Sequence, residues 1–119
     1  MADRFIHRWL ASDDRWRRRA AVVATVALNN KARGGVGDTA RTLGVCEAVL
    51  DDRDDMVVKG LSWALRELAK RDRRSVEHFF KAHNGRLAQR VRREVGNKLR
   101  TGLKNPRTRT KTTVSEELR

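Results

Sequence analysis

Few residues of this 119-residue chain have the types and spacing that catalysis or metal binding requires. The three histidines, His7, His78 and His83, are not spaced as the ligands of a metal site. Cys46 has no nearby histidine to activate it, so we expect a buried structural thiol, and a single cysteine cannot form an intrachain disulfide. The glycines of residues 34–37 lack the Lys-Ser/Thr pair of a phosphate-binding loop and predict only a loop. These residues assemble no active site, and we predict no catalytic residue, metal or cofactor.

The charge balance is the strongest signal in the composition. Lysine and arginine total 28 against 15 acidic residues, which gives a formal net charge of +13. Such an excess favours binding to nucleic acid or to an anionic membrane surface, although a charged surface that serves only solubility would give the same count. The longest apolar run, residues 20–28, is too short to span a bilayer, so we expect no transmembrane helix. Residues 17–19 ahead of that run resemble a twin-arginine export signal, but no small-x-small cleavage site follows.

Turn signals divide the chain into blocks with helical periodicity, several of them preceded by aspartates placed as N-caps. With their caps, the predicted helices are residues 3–11, 12–30, 38–50, 54–70, 72–83 and 86–100. Three antiparallel pairs of about 35 residues each predict an all-α fold of stacked HEAT-like helix pairs, an α-solenoid, or else a plain bundle. We predict that this helical repeat domain covers residues 1–101 and that residues 102–119 are a basic, disordered tail.

The fourth predicted helix has two different faces at about 100° per residue. Its apolar face, which we expect to be buried, consists of Val57, Val58, Leu61, Ala64, Leu65 and Leu68. Trp63 lies on the opposite side, in line with Lys59 and Lys70 and flanked by Met56 and Arg66. A tryptophan among cations suits stacking or cation binding on a basic surface. The alternative is that the helix packs on two sides and that Trp63 fills the second contact.

The second predicted helix separates its arginines from its apolar residues. The stripe that we expect to be buried consists of Trp16, Ala20, Val23, Ala24 and Ala27. Arg17 and Arg18 point away from that stripe, whereas Arg19 lies at its edge, so its stem should pack and its guanidinium should be held in place. A positioned arginine suits bidentate phosphate contact, and an ion pair with an acidic residue of a neighbouring helix is an equal alternative. The sixth helix is one-sidedly basic, with Glu94 as its single acid, which also favours a polyanion.

Two segments resemble bacterial AlkD-type DNA alkylation repair proteins. Residues 9–22, WLASDDRWRRRAAV, resemble the family's Trp-x-x-Ser-x-x-x-Trp-x-x-Arg-Ala-Ala segment. Residues 58–70, VKGLSWALRELAK, resemble its Gln-Lys-Ala-x-x-Trp-x-Leu-Arg-Glu segment, and residues 92–94, RRE, stand where the family has Lys-Arg-Glu. The resemblance covers residues 5–99 in the same order and with similar spacing, and the Trp-x-Leu-Arg-Glu piece is its most specific part.

The resemblance implies HEAT-like repeats whose concave basic surface grips duplex DNA. It also implies excision of N3- and N7-alkylated purines by N-glycosidic hydrolysis, without extrusion of the base. By matching position, Trp63 would contact the DNA backbone beside the lesion, and Arg19 would lie on the same surface. With Arg18, Lys59 and Arg66 as further backbone contacts, these five are the DNA-binding residues that we predict. The implied location is the bacterial cytoplasm, at the nucleoid.

The family's catalytic aspartate belongs to a Trp-Asp-x-x-Asp segment that precedes the region where this chain begins. Glycosidic hydrolysis needs a carboxylate because loss of the base leaves oxocarbenium-like charge on the sugar. Asp13, Asp14, Asp54 and Asp55 stand at helix starts, where capping explains them better than catalysis. We therefore expect the C-terminal half of such a protein, a DNA-binding fragment without glycosylase activity of its own.

Two other functions fit the same composition. One is a HEAT-like scaffold that binds an acidic protein partner, and the other is RNA binding by charge alone. Half of a solenoid should also expose an apolar end at Phe5, Ile6 and Trp9, which predicts self-association or a missing N-terminal half as a partner.

Overall fold

The computed structural model describes residues 3–30 and 34–102, and this part of the chain folds into six α-helices. They are α1 (Asp3–Leu10), α2 (Arg15–Asn29), α3 (Thr39–Ala48), α4 (Asp55–Ala69), α5 (Arg73–His83) and α6 (Gln89–Thr101). The predicted all-α fold is therefore confirmed, with each helix close to its expected position. Residues 103–119 of the predicted basic tail lie outside the described residues.

Four of the helices follow an aspartate whose side chain accepts a backbone N–H of the first turn. Asp14 and Asp54 accept from the amide two residues on, at 2.9 Å each, at the starts of α2 and α4. Asp38 and Asp72 accept from the amide three residues on, at 3.1 Å each, at the starts of α3 and α5. Each such cap stabilises its helix, because it satisfies a backbone N–H that has no partner within the helix. Capping is thus confirmed for Asp14 and Asp54, two of the acids that stood as possible substitutes for a catalytic carboxylate.

The last helix begins later than the sequence predicts. Residues Asn84–Arg86 form a short 3-10 turn, and α6 starts only at Gln89. The delay has a packing cause, because Leu87 has an extended backbone and is only 2% exposed, so its side chain lies in the core. The helix ends at Thr101, and the next residue, Gly102, has a φ of +82°, a left-handed conformation that glycine adopts without strain.

The helices form two layers. In one layer α4 lies between α2 and α6, and α1, α3 and α5 pack behind them. This arrangement is a short stack of helix pairs, which agrees with the predicted solenoid. No helix in the described part of the chain is long and apolar enough to cross a membrane.

The central helix α4 supplies much of the core. All six residues of its predicted apolar face are at most 6% exposed, so this prediction is confirmed. Gly60, Ser62 and Glu67 of α4 are buried as well, because neighbouring helices cover more than one side of it. Cys46 of α3 is 0% exposed, which confirms the expected buried thiol.

The predicted buried stripe of α2 is wrong. The residues that α2 buries are Ala21, Val22, Thr25, Val26 and Asn29. Trp16 is instead 55% exposed, Ala27 is exposed, and Ala20, Val23 and Ala24 are half-buried. The error has a physical cause, because small apolar residues surround most of α2, and a helical wheel then gives no sharp boundary between faces.

The N-terminal end is less exposed than expected. Ile6 is buried and packs into the core, so the expectation is wrong for this residue, and Trp9 is half-buried. Phe5 is 39% exposed, and its ring lies 5.4 Å from the Arg4 guanidinium and 5.6 Å from that of Arg8. Self-association through this end stays a prediction.

Candidate nucleic-acid interface

Four of the five predicted DNA-binding residues line a single groove across the α2–α4–α6 layer. On α4, positions 59, 63 and 66 share one face because they are spaced by four and three residues. The groove encloses about 290 Å³ and is lined by Arg19, Lys59, Trp63, Arg66, Arg90 and Glu94. We refer to these six residues as the α2–α4–α6 groove.

Arg19 reaches the groove from α2 by crossing the surface of α4. Its Nη1 donates to the backbone carbonyl of Met56 at 2.7 Å. The crossing is close to Gly60, where an added Cβ would lie 3.6 Å from Arg19 Cγ and 3.3 Å from Val23 Cγ2. The sequence left two alternatives for Arg19, a phosphate contact or an ion pair with a neighbouring helix. Among the described residues Arg19 has no carboxylate partner, so the ion pair is not formed there. Its positive charge is therefore fixed in place without being neutralised by an ion pair there.

Arg18 is the predicted residue that the structure does not bring to the groove. Its Nε donates to Asp52 Oδ2 at 2.7 Å, and its Nη1 donates to the carbonyls of Ser12 and Asp13 at 3.0 Å each. The side chain is 19% exposed. Arg18 thus ties the start of α2 to the segment before α4, and its charge is compensated by a carboxylate.

Trp63 both packs against the core and lines the groove, so the second packing contact that the sequence left open is present, and its proposed role in binding stays a prediction. It is half-buried, with part of its surface packed against the hydrophobic core and part lining the groove. Its indole N–H has no hydrogen-bond partner among the described residues. The part of Trp63 that lines the groove therefore offers an aromatic surface close to cations.

A buried carboxylate that we did not predict as a site residue lies in the groove. Glu94 is only 3% exposed. Its Oε1 accepts from Ser62 Oγ at 2.7 Å, while its Oε2 accepts from Arg90 Nε at 3.2 Å and lies 3.9 Å from Arg93 Nη2. Ser62 Oγ in turn accepts from Arg66 Nε at 3.2 Å. The four-residue spacing of Arg90 and Glu94 could have indicated their pairing. The contact between Ser62 and Glu94, 32 positions apart, has no signal in the sequence.

The groove is electropositive because four cations surround a single carboxylate. Burial lowers the pKa of the Arg66 guanidinium, and the negative charges of Glu94 and Glu67 oppose that effect. Arginine stays protonated in proteins even so, which keeps Arg66 a cation. Lys59 is exposed and forms no ion pair with a described carboxylate. Such a surface suits the binding of an anionic backbone.

Other reactive groups of the described residues do not extend this chemistry. Burial raises the pKa of the Cys46 thiol to about 12, so little reactive thiolate forms near neutral pH. No group of three or more histidine, cysteine or carboxylate side chains is placed to hold a metal ion in the described part of the chain.

The fold and the groove together define a helical-repeat protein with a basic surface built around a tryptophan. The chain belongs to the family of DNA alkylation repair enzymes, whose model matches residues 1–99. This match includes every residue of the α2–α4–α6 groove and confirms the family resemblance seen in the two segments. No curated protein and no solved structure gives a significant match.

Proposed function

We propose that this chain binds duplex DNA through the α2–α4–α6 groove, as part of the repair of alkylated bases. The observation that carries the proposal is the way in which three arginines are anchored. Arg19 uses Nη1, whereas Arg66 and Arg90 use Nε, and the remaining guanidinium nitrogens have no partner among the described residues. Each arginine is therefore held in position and still has donors for a phosphate.

Trp63 gives the groove a second kind of contact. Its exposed face lies among the same cations and can pack against the sugars and bases that follow each phosphate. Phosphate contacts alone would bind any polyanion, and an apolar surface of fixed shape adds a preference for one backbone geometry. The family supports duplex DNA as that polyanion.

We further propose that the chain binds without releasing a base on its own. Catalysis would need a carboxylate placed against the sugar. In the described residues, the groove carboxylate Glu94 has both oxygens engaged by Ser62 and Arg90. Asp14 and Asp54 are engaged as helix caps.

A salt titration with a base-release assay tests both parts. A labelled 20-base-pair duplex carrying one N7-methylguanine, and its undamaged counterpart, would be titrated by fluorescence anisotropy between 50 and 200 mM NaCl. Four groove cations predict a slope of log K against log salt of roughly −3 to −4, since each neutralised phosphate contributes about −0.9. Free methylated purine would be measured in parallel, and we expect no more than the spontaneous rate.

The outcomes separate the alternatives. Release well above the spontaneous rate would contradict the second part and leave the first standing. A structured RNA would be titrated in the same way. Equal affinity for duplex DNA and for this RNA at every salt concentration would favour binding by charge alone. No salt-sensitive binding to duplex DNA would contradict the whole proposal and would favour a scaffold for an acidic protein.

A further inference from the structure

We infer that Glu94 is a positioning residue of the DNA interface, a buried carboxylate that aims the guanidinium groups of Arg66 and Arg90 at phosphates. This inference rests on the proposed function of the groove. An acidic residue on a DNA-binding face repels phosphates, and by charge alone Glu94 should weaken binding. Its burial and its partners indicate the opposite role.

The geometry of the two arginines supports this inference. Arg90 donates to Glu94 through Nε at 3.2 Å, and Arg66 donates through Nε to Ser62 Oγ, also at 3.2 Å. Ser62 passes the interaction on by donating to Glu94 Oε1 at 2.7 Å. In both arginines the bonded atom is Nε, so the Nη1 and Nη2 end of the fork is left for bidentate contact with a phosphate.

The arrangement also explains why α4 and α6 can both place arginines beside one groove. Like charges so close together repel, and a buried anion between them reduces that repulsion. Glu94 is 3% exposed, so it acts on Arg66, Arg90 and the nearby Arg93 from beneath and presents little charge to solvent. An arginine that is already held loses less rotamer freedom when it binds.

The test is the Glu94→Gln variant, with Glu77→Gln as its matched control. Glu77 lies on α5 and forms an ion pair with Arg73, four residues away, at 3.3 Å. Both substitutions remove one negative charge and one i,i+4 arginine pair, but Glu77 lies outside the groove. Affinity for duplex DNA would be measured by anisotropy from 50 to 200 mM NaCl, with circular dichroism as the check on folding.

If Glu94 positions the arginines, Glu94→Gln weakens binding by about tenfold and makes the salt slope shallower by about 1. Glu77→Gln then leaves the affinity equal or slightly tighter, as loss of a negative charge should. Equal or tighter DNA binding by Glu94→Gln would overturn the inference about Glu94. The proposal that the groove binds DNA would still stand if the wild-type protein binds. If the wild-type protein fails to bind DNA, both the inference about Glu94 and the proposed DNA-binding function are overturned.

A second variant covers the case in which Glu94→Gln does not fold. Ser62→Ala keeps every charge and removes only the hydroxyl between Arg66 and Glu94. The inference predicts a loss of affinity of about threefold. In free energy this is about half of the tenfold loss expected for Glu94→Gln, because only Arg66 loses its anchor. Unchanged affinity in folded Ser62→Ala protein would contradict positioning through this hydroxyl and overturn the chain of contacts that we infer.

Discussion

Arg18 and Arg19 are consecutive residues of α2, but only Arg19 extends its guanidinium into the groove. Arg18 Nε donates to Asp52 at 2.7 Å, whereas Arg19 Nη1 donates to the carbonyl of Met56 at 2.7 Å. Neighbouring residues of a helix point about 100° apart, so two identical side chains meet different surroundings. Arg18 is paired with a carboxylate and stabilises the fold, and Arg19 keeps an uncompensated charge on the proposed DNA surface.

Alanine substitutions at these two positions should therefore change different properties. Arg18→Ala should lower stability, and Arg19→Ala should lower DNA affinity. Arg18→Ala should lower the free energy of unfolding by about 1–2 kcal/mol, because a half-buried carboxylate and two carbonyls lose a charged donor. Its effect on DNA affinity should be under about twofold. Arg19→Ala should weaken DNA binding by about tenfold with little change in stability. Urea unfolding and anisotropy on both variants check this, and a larger binding loss for Arg18→Ala would contradict the assignment.

Trp63 and Trp16 allow the same kind of comparison, because only Trp63 lines the groove. Trp63→Ala should weaken duplex binding by about tenfold while the helical signal in circular dichroism persists, because only part of the side chain serves the core. Trp16→Ala is the control, since Trp16 is 55% exposed and does not line the groove. A collapse of the helical signal in Trp63→Ala would mean that Trp63 serves mainly to stabilise the core, and would contradict its role in DNA binding.

The sequence predicted the helices well because their signals are local. Aspartate caps and the sharp apolar face of α4 are read from a few neighbouring residues, and both are confirmed. The buried side of α2 was predicted wrongly because its small apolar residues surround the helix. The tryptophan at position 16, which the wheel placed in the core, shows that size alone does not decide burial.

The groove was only partly predictable. Lys59, Trp63 and Arg66 share a helix face and could be found by spacing alone. Glu94 and its contact with Ser62 depend on how α6 packs against α4, which no local pattern reports. The same holds for Arg18, whose partner Asp52 is 34 positions away.

Cys46 should be unreactive in the native protein. Burial raises its thiol pKa from the ordinary 9.0 to about 12, so a thiol reagent at pH 8 should modify it only after denaturation. Because the folded-state pKa is raised, the stability from the protonated thiol is complete below about pH 9 and is lost as the pH rises towards 12. Fast modification of the native protein at pH 8 would contradict the burial.

Asp72 should stabilise the fold more when its carboxyl is ionised than when it is protonated. The Thr39 hydroxyl, 2.8 Å from Oδ2, and then Ser75 lower the pKa of this carboxyl below its ordinary 3.8. A lowered pKa means that the contribution is present above about pH 4 and is lost as the pH falls below it. Asp72→Asn keeps an N-cap, so it should cost about 0.5 kcal/mol at pH 7 and less at pH 2. Urea midpoints at the two pH values measure this, and an equal cost at both would contradict the pKa shift.

A charge reversal at Lys59 tests the central claim most directly. Lys59→Glu and Lys81→Glu change the net charge equally, but Lys59 lines the groove and Lys81 is an exposed residue of α5 in the other layer. At 100 mM NaCl, the groove predicts that Lys59→Glu weakens duplex DNA binding by about thirtyfold and Lys81→Glu by no more than about threefold. Equal losses in the two variants would show that DNA responds to net charge alone, and would contradict the α2–α4–α6 groove as the binding site.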